Sequence, residues 1–136
     1  MSDLSDFPGD SEPIELDATD QARLVREGRV SPPELVDAAI ARIEALNPVV
    51  NAVITERFDA ARAEAAGTLP DGPFRGVPIL LKDLNAQMAG EPAYYGSRFL
   101  KAIDHREEED SHLVRRLRGA GFVVLGRTNT PEFGST

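Results

Sequence analysis

The chain contains no cysteine, which excludes a thiol nucleophile, a disulfide framework and any cysteine-based zinc site. Lysine is nearly as scarce. Of fifteen basic residues thirteen are arginine, and only Lys82 and Lys101 are lysine. Long apolar runs are missing as well: the longest, Val77–Leu81, includes a proline and is far too short to span a bilayer. The N-terminus has no basic stretch followed by an apolar one, so no signal peptide is expected. No basic patch with interleaved aromatics is present either, which argues against nucleic acid as a partner. These absences point to a soluble cytoplasmic protein with no membrane or nucleic-acid partner.

What is present is ordinary for a folded domain: 136 residues, 41% hydrophobic and 28% charged. The net charge of −8 is unevenly placed. Residues 1–20 carry seven acids and no base, so the remainder holds sixteen acids against fifteen bases. The acidity therefore belongs to a leader, residues 1–17, expected to be solvated and flexible.

Start and stop signals divide the rest. Thr19 reads as the N-cap of a short helix ending near Gly28. In SPPE, Ser31 and Glu34 have capping-box spacing and Pro32 occupies the first helical position. Leu35, Ala39 and Ile43 then recur every fourth residue, predicting a helix stopped by Asn47-Pro48. An alanine-rich helix is expected from about Thr55 to Ala66, closed by Gly67. After the LPDGPFRG turn, Val77–Lys82 reads as a short buried strand. A long irregular connection leads to a helix over His112–Arg118, capped by Asp110 or Ser111. Phe122–Leu125 is a second buried strand, followed by GRTNTPEFG.

Strand, helix, strand is a βαβ unit, whose two strands should be parallel with a right-handed crossover. In open parallel sheets ligands bind beyond the carboxyl ends of the strands. Lys82 ends the first strand, and Thr128-Asn129 follows the second, so both should emerge on one edge. For Lys82 two readings stand: a lysine reaching water from a strand end, or a partly buried amine serving as a base or Schiff-base former. Arginine could do neither of the latter, because it stays protonated. Asp83, its neighbour in a strand, should face the opposite way and act structurally. The cluster Thr128, Asn129, Thr130, Pro131 and Glu132 is either a turn with internal capping or a polar loop that supports the site. Gly96-Ser97 is a plain turn or lines a pocket, and Tyr94 and Tyr95 are packing residues or lie beside substrate. Gly119-x-Gly121 precedes a strand, the wrong context for a dinucleotide fingerprint. His105, in the HREEED run, and His112 lack ligand spacing, so neither a metal nor a cofactor is expected.

The order GPFRGVPILLKDL, then Gly96-Ser97, then RLRGAGFVVLGRTNTPEFG resembles the N-terminal part of amidase signature hydrolases. The lead-in EGRVSPPELVDAAIARIEALNPVVNAVI resembles the same family, and the likeness covers residues 18–136. Its wording is most similar to bacterial amidases of the 6-aminohexanoate cyclic-dimer hydrolase type. The resemblance implies an α/β fold: a helical lead-in, then a βαβ unit of a mixed sheet covered by helices. It also implies a Ser–cis-Ser–Lys triad acting on a small-molecule amide, with Lys82 as the base. The TNxxEF element, here Thr128, Asn129, Glu132 and Phe133, would support the site. Both triad serines of the family belong to a Gly/Ser-rich segment after that element, and no serine of this chain matches it. The chain is therefore expected to be an N-terminal portion, inactive alone, with open strand edges and poor solubility or a partner chain. Two other readings stand beside this: a segment of the A subunit of an aminoacyl-tRNA amidotransferase, and a non-catalytic remnant. Oligomeric state is not indicated.

Overall fold

Asp17 opens the first helix, α1 (Ala18–Arg26), by accepting a hydrogen bond from the Asp20 amide at 2.9 Å. The cap is thus Asp17 and not Thr19, which already lies inside the first turn. The computed structural model describes residues 12–135, so residues 1–11 of the expected leader lie outside the described residues. Residues 13–15 form a 3-10 turn whose Ile14 packs on the core.

Helix α2 (Pro32–Val50) starts with the expected capping box: Ser31 accepts from the Glu34 amide while the Glu34 carboxylate accepts from the Ser31 amide. It does not stop at Asn47-Pro48. Pro48 sits inside the last turn, where its missing N–H deprives only an exposed residue, Glu44, of a partner. The helix ends at Asn51, which takes the left-handed conformation (φ 47°). The Asn47 side chain then pairs with both backbone polar groups of Val53, at 2.8 Å each. That clamp starts a strand which the alanine-rich pattern hides, β1 (Val53–Glu56). The third helix, α3 (Phe58–Ala66), is accordingly shorter than expected and closes at Gly67.

The strand β2 (Pro78–Lys82) falls where the sequence places it, and β3 (Val123–Thr128) extends three residues further than expected. Between them lie α4 (Arg98–Ala102), unforeseen, and α5 (His112–Gly119), capped by Ser111. The sheet order is β1-β3-β2, with β2 parallel and β1 antiparallel to β3. The sheet is thus mixed, as the resemblance implies.

Alternation along β3 sorts the core into two layers. Val123 and Leu125 pack with Val36, Ala39 and Ile40 of α2 and Phe58, Ala61 and Ala65 of α3. Val124 faces the other way, onto Leu81, Ala86, Met88 and Val114 of α5. Leu113, next to Val114 on α5, points outward and is 54% exposed. Both pairings of β3 change step, at different places. β2 skips from Ile79↔Val124 to Leu80↔Gly126, and β1 skips Ile54 between Val53↔Thr128 and Thr55↔Arg127. Gly126 has φ 156°, and a Cβ there would meet the Thr55 carbonyl oxygen at 2.2 Å, so only glycine fits.

Candidate active site at the ends of the parallel strands

Register places Lys82 directly opposite Thr128. The expected juxtaposition of the lysine with the GRTN turn is therefore real, and it lies at the carboxyl ends of two parallel strands. Lys82 is exposed, and its amine has no hydrogen-bond or ion-pair partner among the described residues. The exposure suits a lysine that reaches water; the described residues do not supply the desolvation on which the second reading depends.

Asp83 behaves as strand alternation demands. It is 1% exposed and faces away, its Oδ1 accepting from the Tyr94 amide at 3.0 Å, while its own amide donates to the Thr128 carbonyl at 3.1 Å. The lysine thus stands on a backbone fastened from behind. Arg127, absent from the expected site residues, completes that fastening. The residue is 4% exposed, and its guanidinium donates to two carbonyls, Lys82 O at 3.0 Å and Ala86 O at 2.7 Å. Burial pushes the Arg127 guanidinium below its usual range, and the negative charge of Asp83 opposes that push. The signal available in the sequence was a charged residue directly after the buried run VVLG.

Gly96 lies against the turn after β3: a Cβ there would come within 2.8 Å of the carbonyl oxygens of Thr130 and Pro131. Tyr95 strengthens this junction, its carbonyl accepting from the Phe133 amide at 2.7 Å and its ring stacking on Phe133 at 6.1 Å. The Tyr95 hydroxyl donates to Glu107 at 2.6 Å and accepts from Gln87 at 3.1 Å. Burial first, and then the bond to Glu107, raise the Tyr95 phenol above its ordinary value. Part of the HREEED run is therefore engaged in packing and is not a free solvated turn. Its Glu107 side chain is only 17% exposed.

The three motifs LLKDL, GS and GRTNTPEF are joined, but not every named residue reaches the lysine. Ser97 is buried and caps α4, accepting from the Leu100 amide. Asn129 caps locally, accepting from the Thr130 amide at 3.0 Å. It also ties to the α2–β1 corner through Ala52 O and Asn51 O. Glu132 is exposed, and its carboxylate forms no hydrogen bond or ion pair among the described residues. The described serines are all engaged locally. Ser31, Ser97 and Ser111 cap helices, and the Ser135 hydroxyl donates to the Glu132 carbonyl. A concavity of about 390 Å³ lies elsewhere, lined by apolar residues including Ile43, Val50, Ile79 and Leu80 and by neither Lys82 nor Thr128. Among the described residues no group of acidic or histidine side chains could hold a metal ion, and no helix is long and apolar enough to cross a membrane.

Comparison with known proteins adds a family context. The family model described as Amidase matches residues 34–136. A 6-aminohexanoate-cyclic-dimer hydrolase of Paenarthrobacter ureafaciens is 48% identical over 119 residues, which cover 88% of this chain and 24% of that protein. A lipoamidase of Enterococcus faecalis is 44% identical over 118 residues, covering 86% of this chain and 16% of the relative. Among solved structures, a 6-aminohexanoate cyclic dimer hydrolase complexed with substrate superposes with a TM-score of 0.83 at 47% identity, over 88% of this chain and 24% of that one. A bacterial aryl acylamidase of the amidase signature enzymes gives 0.76 at 31% identity, over 87% of this chain and 26% of that one. The chain spans about a quarter of the length of the 6-aminohexanoate-cyclic-dimer hydrolases it matches.

Proposed function

This chain belongs to the amidase signature family, and from that premise we propose that Lys82 is the base of a Ser–cis-Ser–Lys triad that hydrolyses a small carboxamide. The carrying observation is the register of Lys82 against Thr128, which sets a solvent-facing, unpaired amine at the strand ends where open parallel sheets bind ligands. In its neutral form the amine takes a proton through a bridging serine from the nucleophilic serine. That serine attacks the amide carbonyl, the amine leaves, and water releases the acyl group. Lysine suits this task because it exchanges a proton at accessible pH, whereas arginine does not. Thr128, Asn129 and Glu132 support the site from the adjoining turn, and Gly96-Ser97 fix the loop that packs on it. A serine of the Gly/Ser-rich type must meet Lys82 for turnover, and the four described serines are committed to backbone caps and turns. The described residues accordingly offer no nucleophile, which supports the reading that the 136 residues alone hydrolyse no amide.

A graft tests the assignment. With residues 18–136 replacing the matching quarter of the Paenarthrobacter hydrolase, the chimera should turn over amide, and Lys82→Ala should reduce kcat by at least about a thousandfold. A chimera that keeps its rate after Lys82→Ala removes Lys82 from the chemistry. Amide turnover by the 136-residue chain itself, lost on Lys82→Ala, would show that the chain is self-sufficient.

A further inference from the structure

The Lys82 amine has no side-chain partner among the described residues, so its position follows from the backbone that carries it. That backbone turns sharply after β2: Asn85 takes φ 59°, and the chain reverses between Lys82 and Ala86. Arg127 bridges the two ends of this corner with one guanidinium, through the carbonyls of Lys82 and Ala86. We infer that Arg127 is a positioning residue for Lys82, acting through these two carbonyls to fix where the amine emerges; the inference rests on the reading of Lys82 as the base.

Three observations carry it. A buried cation is costly, and this one forms no hydrogen bond to a carboxylate; both of its bonds go to the corner. The planar fork meets the two carbonyls with two different nitrogens set in fixed directions, a geometry that the single ammonium nitrogen of lysine does not reproduce. The corner is also fastened at Asp83, whose amide donates to Thr128 O and whose carboxylate holds the Tyr94 amide. These bonds tie β2, β3 and the loop before Gly96 to the single residue that follows Lys82. A corner serving only to change direction would not require a buried charge beneath it. One that must hold an amine steady for proton transfer gains from such rigidity.

The test has two arms. In the 136-residue chain, Arg127→Ala and Arg127→Lys should each accelerate hydrogen exchange of the Asp83 and Tyr94 amides about tenfold, leaving Leu35 and Ile40 amides unchanged. Added guanidinium at millimolar level should restore protection in Arg127→Ala, and methylammonium should not. In the graft described above, Arg127→Ala should lower kcat about ten- to a hundredfold at unchanged KM, with partial recovery by guanidinium. Unchanged exchange at Asp83, or faster exchange with unchanged kcat, overturns the inference. If Arg127→Ala does not fold, Arg127→Lys, which keeps the charge and loses the fork, carries both arms. The Lys82→Ala graft separately judges the base assignment, so failure of one reading is not mistaken for failure of the other.

Discussion

Two stretches of this chain meet the same requirement, a partner for every buried backbone group, by different means. Residues 18–66 do so with regular helices and one short strand, with side-chain caps that reach three residues ahead: Asp17 to the Asp20 amide, Ser31 to the Glu34 amide. Residues 83–107 contain one five-residue helix and are otherwise joined by irregular backbone pairings, such as Ala93 to His105 and Gly90 to Glu107, and by side chains on single backbone groups: Arg127 on Ala86, Arg106 on Gly90, Asp110 on Ala89. The first stretch is an apolar face with local caps. The second is a set of polar ties whose removal has local consequences, and it is the stretch that adjoins the proposed base. The contrast teaches that near Lys82 specific polar ties add to the apolar packing of Leu81, Ala86 and Met88.

Substitutions in each stretch can break that contrast. The largest effect is expected for Ile40→Ala, which opens a cavity where α2, α3 and β3 meet: about 2–5 kcal/mol lost, read by denaturant unfolding with an unchanged slope. A loss confined to α2, with residues 83–107 still protected, would show that the two stretches are not one cooperative unit. Next is Arg57→Ala. Arg57 joins the stretches, binding Glu64 of α3, Glu91 of the irregular segment at 2.8 Å and the Val124 carbonyl at 3.1 Å. Burial works against its charge, and the two glutamates outweigh that, holding it above its usual range. Removing it should cost about 3 kcal/mol. Hydrogen exchange should rise most around Glu91; equal loosening throughout α3 would contradict the division.

The smallest effect concerns the Tyr94–Asp104 bond, 2.7 Å long and exposed. That bond chiefly, and then Arg106, lower the Asp104 carboxyl, and the same bond raises the Tyr94 phenol. A lowered acid stabilises above its unfolded value and loses that contribution as pH falls through the folded one. A raised phenol stabilises below its unfolded value and loses it as pH rises past 10.0 toward the folded one. Stability of wild type relative to Tyr94→Phe should therefore be flat through neutral pH and narrow slightly at both extremes. A difference that changes between pH 6 and 8 would implicate another group, since the unperturbed values of carboxyls and phenols lie outside that window.

The capping box at Ser31, the cap at Ser111 and the two apolar strands were legible because each depends on residues close in sequence. So was the pairing of Lys82 with Thr128, which follows from two strands and one crossover. β1 was not legible: Val53–Glu56 is four residues long, only Val53 is buried, and its partners lie seventy or more residues away. Pro48 misled because it counts as a stop except in a last turn, where the abandoned carbonyl is exposed. Within the site, Asp83 could be placed by alternation alone. Arg127 could not, because its one signal, a charge directly after the buried run VVLG, does not distinguish an arginine directed into the protein from one directed into water. Ser97 caps α4 and Asn129 bonds the next backbone amide, the commonest work of short polar side chains near turns.

Gly126 fixes how β1 lies on β3. The carbonyl of Thr55 on β1 occupies the space any side chain at this position would need. Sliding β1 by one place would bring Leu125 or Arg127 under that carbonyl, so the strand does not settle in an adjacent alignment. A residue with no side chain thus seats the strand that closes β3 on the side away from the amine.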